Sequence, residues 1–176
     1  MSMNEVIQTM LERRSTKNFD PNRPVEPEKL DEILLAGTYA PNGMGRQSAK
    51  IVVLTKKEDI AEVERMNAAV LGNPEAHPFY GAPTVCIVLA KKGYFTGVED
   101  GSLVMGNLML AAESLGVGAC WIHRAREEFD SEQGKALLKK WGIEEEYIGV
   151  GHCVLGYRVG EPKEALPRKT DYILRV

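Results

Sequence analysis

The sequence predicts an α+β fold, a four-stranded sheet wrapped by helices. Four short β-rich or wholly apolar runs begin near residues 51, 84, 118 and 147. Helical periodicity fills most of the intervals between them. These two observations alone also suit a doubly wound α/β sheet. The third favours α+β: residues 157–176 hold two prolines and no helical period, yet end in Tyr172, Ile173, Leu174 and Val176. An extended apolar tail must lie on something. A partner subunit is the natural surface, with the chain's own body as the rival, so a homodimer is expected.

The elements follow in order. Val6, Ile7, Met10 and Leu11 recur at helical spacing, predicting a first amphipathic helix over 3–13. Pro21 and Pro24 then break regular structure. Pro27 suits a first helical position, and Leu30, Ile33, Leu34 and Gly37 line one face of a second helix ending before Pro41. Residues 41–49 form a loop with two glycines, and Ile51 to Thr55 a strand. Ile60, Val63, Met66 and Val70 mark a helix over 58–70, and the Gly- and Pro-containing segment 71–82 a loop. Thr84 to Ala90 is continuously apolar, as a central strand buried on both faces would be. Residues 99–115 make the longest helix, apolar nearly all round, hence a core or interface helix. Gly118 to Ile122 is a third strand, Ser131 or Asp130 caps a helix through Trp141, and Tyr147 to Gly156 is a fourth strand.

Composition narrows the function. A chain of 176 residues is one domain, at roughly 100–200 residues per domain. Lys plus Arg is 22 against 25 for Asp plus Glu, which argues against a bulk-electrostatic nucleic-acid binder. No apolar run approaches the roughly 18 residues of a membrane span, and the first residues lack the pattern of a secretory signal. Cys86, Cys120 and Cys153 are widely spaced and lie in apolar stretches, so they read as buried thiols in a reducing cytoplasm. His77, His123 and His152 show no metal-ligand spacing.

Four constellations could carry chemistry. Arg13-Arg14-Ser15-Thr16-Lys17 offers forked donors, a point charge and hydroxyls to a phosphate; equally, cations after a helix favour its dipole. Arg168 and Lys169 alone form a solvated basic turn, and would join the first cluster only if the fold brought them together. The loop Asn42-Gly43-Met44-Gly45-Arg46-Gln47 could lie close to a flat ligand, with Gln47 presenting donor and acceptor, or could be a plain connection. Gly149-Val150-Gly151 lies inside a strand with no helix-opening glycines after it, so it marks close packing rather than a dinucleotide fingerprint. Phe79, Tyr80 and Phe95 could stack on substrates or pack the core. The pairs Glu127-Glu128 and Glu144-Glu145-Glu146 read as solvated, and no nucleophile–base arrangement stands out. That lack suits a cofactor that carries its own chemistry.

In this order, the pieces resemble the FMN-dependent nitroreductase family over nearly the whole chain. The opening Glu12-Arg13-Arg14-Ser15-Thr16-Lys17-Asn18-Phe19 looks like its flavin-phosphate motif, and Ala40 to Ser48 like its flavin loop. Ala82-Pro83, Asp100 opening a helix, Leu110 to Ile122, and Leu155-Gly156-Tyr157 with Pro162, Pro167, Arg168 and Lys169 are also similar. The resemblance implies a mainly antiparallel sheet and an intertwined homodimer, with two FMN molecules at its interface and the tail embracing the partner. It implies that Arg13, Arg14, Ser15 and Lys17, with Arg168 and Lys169, hold the FMN phosphate and ribityl chain. Pro41, Asn42, Gly43, Met44 and Gln47 would line the ring from the other subunit, and Trp121, Ile122 and His123 would pass it near N5. Two departures stand out: Gly45 replaces a frequent Asn, and Ser48-Ala49 replaces Pro-Trp.

The implied activity is hydride transfer from NADH or NADPH through FMN to a nitroaromatic, quinone or flavin, by a ping-pong mechanism. Rival expectations are a reductive dehalogenase or flavin-fragmenting enzyme of the same superfamily, a flavin-binding module without turnover, and a flavin-free interaction protein.

Overall fold

The computed structural model describes residues 3–176. The chain runs α1 (Glu5–Glu12), α2 (Pro27–Thr38), β1 (Ala49–Leu54), α3 (Lys57–Val70), β2 (Thr84–Lys91), α4 (Gly97–Ser114), β3 (Gly118–Ile122), α5 (Ala125–Asp130), α6 (Glu132–Lys140) and β4 (Tyr147–Gly156). The strands stand in the order β1-β2-β4-β3, and every pairing is antiparallel. That arrangement decides for α+β over the doubly wound alternative.

The period of two along β2 divides the core. Val85, Ile87 and Leu89 face one cluster with Ile60, Val63, Phe129 and Leu137, on the side of α3, α5 and α6. Cys86, Val88 and Ala90 face the other with Ile33, Val104, Met105 and Leu108, on the side of α2 and α4. Burial on both faces explains why β2 is apolar without interruption. All three cysteines are buried free thiols, as expected.

The helix expected from Ser131 to Trp141 is α6, and a second short helix, α5, precedes it. Ser131 is extended, and its hydroxyl accepts from the Gly134 amide at 3.0 Å to cap α6. The six-residue α5 before it is too short to show an apolar period. Gly134 is obligatory at this corner, since a Cβ there would stand 2.0 Å from the Glu128 carbonyl oxygen.

The strand glycines serve close packing, as their position suggested. The register slips between Val88 and Leu89, which face Gly151 and Gly149, so Val150 is an extra, bulged residue of β4. A Cβ on Gly149 would lie 2.0 Å from the Ala125 carbonyl oxygen, and one on Gly151 would lie 2.3 Å from Trp121 Nε1. A backbone cannot yield as a flexible side chain can. Gly149→Ala should therefore lower the unfolding free energy by about 1–3 kcal/mol, read as a fall in the urea midpoint.

Candidate functional site

After α1 the chain turns extended and lies along β3: Ser15 bridges Ala119, and the Thr16 amide donates to the Ala119 carbonyl at 2.9 Å. In an extended segment alternate side chains share a face. Thr16 is buried, its hydroxyl accepting from Arg158 Nε at 3.3 Å, while Ser15 and Lys17 on the other face are exposed. Arg14 folds back, donating through Nη1 to the carbonyls of Leu11 at 2.7 Å and Arg13 at 2.8 Å. The helix-end reading thus describes Arg14. Arg13 and Lys17 have no carboxylate partner among the described residues. Lys17 Nζ lies 5.9 Å from the Tyr80 ring centre. The cluster converges on Cys120, whose thiol is pushed up by burial against the lowering effects of the Ser15 hydroxyl, Lys17 and Arg13.

The loop after α2 is organised by Asp100, a buried carboxylate in the first turn of α4. Its Oδ1 accepts from the Gly43 amide at 2.9 Å, and its Oδ2 from the hydroxyls of Thr96 at 3.1 Å and Ser48 at 3.4 Å. Asn42 closes the loop on itself, accepting from the Gln47 amide at 2.9 Å. The backbone is left-handed at Met44, Gly45 and Gln47, a conformation a glycine adopts at no steric cost. Pro41, Met44 and Gln47 are exposed. A cavity of about 420 Å³ opens beside the loop, lined by Thr38, Asn42, Gln47, Ile51, Val53 and Asp100. A larger one, about 740 Å³, lies by α5 and α6 and touches none of the predicted residues.

Trp121, Ile122 and His123 close β3. Trp121 packs on Gly151, Ile122 is buried, and His123 is exposed. Below them lies a feature the sequence reading missed. Glu128, expected to be solvated, is buried, and its Oε2 stands 3.0 Å from Nε2 of the buried His152. The two atoms are close but poorly aligned for a hydrogen bond. Asn67 on α3 completes the group, donating to the Glu128 carboxylate and to the His123 carbonyl. The three residues lie on different elements, so no sequence spacing reveals them. Of the aromatic trio, Phe79 is core and packs on the His152 ring, Tyr80 is half-buried against the core, and Phe95 is exposed.

The predicted residues thus form separate groups. Arg13, Ser15 and Lys17 sit beside β3 and the Trp121 segment, whereas the 41–47 loop hangs on Asp100. No hydrogen bond or ion pair joins the two among the described residues. Arg168 and Lys169 lie in the exposed tail, which beyond Val159 makes no hydrogen bond to the rest of the described chain.

The chain is thus an antiparallel α+β protein with cations beside β3 and a glycine loop held by a buried carboxylate. Residues 10–157 match the Nitroreductase family, and the chain belongs to it. It is 29% identical over 157 residues to an Archaeoglobus fulgidus protein named for NADH dehydrogenase and NAD(P)H nitroreductase, covering 88% of this chain and 86% of that one. It is 25% identical over 144 residues to the Bacillus subtilis FMN reductase [NAD(P)H], covering 70% of this chain and 56% of that one. Among solved structures it resembles an FMN-bound nitroreductase from Bacteroides fragilis, with TM-score 0.90 and 28% identity over 99% of this chain and all of that one.

Two outcomes test this geometry. Asp100→Ala leaves the Gly43 amide without its acceptor, and an unsatisfied buried donor costs about 1–3 kcal/mol. Limited trypsin digestion should then cleave after Arg46 faster than in the wild type. Burial raises the Cys86 thiol from 9.0 to about 12 and the Cys153 thiol well above its ordinary value. Between pH 9 and 12 the folded chain therefore keeps protons that the unfolded chain releases, so stability must fall as pH rises. The slope should approach about 1.4 kcal/mol per pH unit for each such thiol, and Cys86→Ala should remove one share in denaturant titrations.

Proposed function

We propose that the protein is an NAD(P)H-dependent FMN oxidoreductase acting as a homodimer, one domain over residues 1–176 whose tail from about residue 157 embraces the partner. The observation that carries this is the set Arg13, Ser15 and Lys17, two cations without carboxylate partners and an exposed hydroxyl beside β3. That donor set fits a phosphate: Arg gives a forked pair of N–H groups, Lys a point charge, Ser a short hydrogen bond. Arg14 would join only by releasing its helix carbonyls.

Exposed apolar surface supports the dimer. The α1 stripe of Val6, Ile7, Met10 and Leu11 is open in the single chain, as are Leu166, Tyr172, Ile173 and Leu174 of the tail. The separation of the two groups within one chain supports a site shared between copies. In this reading Pro41, Asn42, Gly43, Met44 and Gln47 face the flavin ring across the interface from Trp121, Ile122 and His123. Arg168 and Lys169 reach the phosphate when the tail docks. Three buried free thiols fit a reducing cytoplasm. No helix among the described residues is long and apolar enough to cross a membrane.

Bound FMN supplies hydride acceptance and donation, taking reducing equivalents from NADH or NADPH and giving them to a nitroaromatic, quinone or flavin in ping-pong order. The chain's own residues bind and orient. Arg13 and Lys17 would hold the anionic end, Asp100 fixes the loop, and backbone donors after β3 would serve the ring.

The purified protein should be yellow, run as a dimer, and bleach anaerobically on addition of NADH or NADPH. Arg13→Ala with Lys17→Ala removes two charge-assisted contacts of about 1.5–3 kcal/mol each. FMN affinity should then fall by at least about a hundredfold with the thermal midpoint retained, as followed by flavin fluorescence. A colourless protein that cannot be reconstituted with FMN overturns the reading.

A further inference from the structure

The buried group under β3 has no role in the function just described, yet it is unusually placed. The side chains of Glu128 and His152 are wholly buried, as is Asn67. The His152 ring is 5.2 Å from Phe79 and 6.3 Å from Phe129, centre to centre. For stability alone, apolar residues of similar volume would serve as well or better.

The polar contacts converge on one short stretch of backbone. His152 Nδ1 is 3.4 Å from the Ile122 carbonyl oxygen, and Asn67 Nδ2 donates to the His123 carbonyl at 2.8 Å. Asn67 Oδ1 accepts from Arg124 Nε at 2.9 Å, and Arg124 sits at φ 79°, left-handed and unfavourable for a side chain of its size. An oxygen faces each His152 nitrogen, one from Ile122 and one from Glu128. Glu128 stands against the Nε2 side of the ring, and Nδ1 lies toward the backbone. It also accepts from Asn67, so one carboxylate steadies both donors.

Two successive carbonyls thus each meet a buried side chain. In a trans peptide the C=O and the following N–H point in opposite directions. The amides of His123 and Arg124 therefore point away from the His152 and Asn67 side chains, and neither has an acceptor among the described residues. We propose that Glu128, His152 and Asn67 are positioning residues that turn the His123 and Arg124 N–H groups outward as a preorganised pair. That pair faces the flavin ring and stabilises the negative charge it gains on reduction. Preorganised backbone donors are effective because nothing need reorient when the charge appears. The inference rests on the flavin reading above, and goes beyond it by naming the residues that set the donors.

The test uses the full-length protein reconstituted with FMN. Removing one member of the buried pair would strand the other, so Glu128→Leu and His152→Leu are made together. Asn67→Ser is made separately. Each is compared with the wild type for thermal midpoint, FMN affinity and the FMN reduction equilibrium against a reference dye. Expected is a double variant with near-wild-type melting and FMN affinity within about threefold, because the phosphate cations are untouched. Its reduction equilibrium should shift about tenfold toward oxidised FMN, or about 30 mV for a two-electron couple. Asn67→Ser should shift it the same way by less. A merely structural role would lower the melting point and leave that equilibrium unmoved. An unchanged equilibrium in whichever variants fold overturns the proposal while the wild type still binds and reduces FMN. Should neither variant fold, the wild-type amide spectrum decides. The His123 and Arg124 amide signals must move when FMN is added to the apo-protein, and still signals overturn the proposal. A wild type that binds no FMN overturns the flavin reading itself, and the inference with it.

Discussion

The two-sided burial of the central strands governs where polar chemistry can sit. β2 and β4 pair over eight registered positions, and almost every side chain along them is buried. An unpaired polar group in such a sandwich is costly. Accessible donors are therefore confined to the margins. Arg13, Ser15 and Lys17 lie beyond β3, and Asn42 and Gln47 lie on a loop tied to the start of α4. No hydrogen bond joins the two margins among the described residues. The apolar stripe of α1 and the apolar tail are exposed at the same time, which is the surface that the proposed dimer would cover.

Two buried carboxylates break the apolar rule, and both act on backbone. Asp100 takes the Gly43 amide and two hydroxyls, which lets a left-handed turn stand with Met44 and Gln47 exposed. Glu128 steadies His152 and Asn67, whose other contacts hold the carbonyls of Ile122 and His123. In each case a buried carboxylate bears on backbone, directly at Gly43 and through Asn67 at His123. Dense packing supports the same corner, because Gly134 and Gly149 let α5 approach α6 and β4 with no room for a methyl group.

Much of this was legible in the residues. The apolar run at Thr84, the short strand Gly118–Ile122 and the glycine pair in Tyr147–Gly156 all appear where periodicity and composition put them. The flavin-like motifs at Arg13–Lys17, Ala40–Ser48 and Arg168–Lys169 were legible as types of residue in a given order. The six-residue α5 was not, being shorter than two helical turns. Glu128 was misjudged because it follows Glu127 in a charged stretch, and only one of the two turns inward. Arg13 and Arg14 are adjacent cations, yet one caps a helix and the other stays unpaired.

By itself the sequence determined the local periods, and with them the strands, the helices and the alternation that sorts the core into two faces. It also determined which residues are chemically able to meet a phosphate or a flat ring. Only the tertiary structure decided that the sheet is antiparallel, that Asp100 reaches Gly43, and that Asn67, Glu128 and His152 meet under His123. The physical reason is range. Period and propensity act over a few residues, whereas those contacts join positions 24 to 61 residues apart, and only packing brings them together.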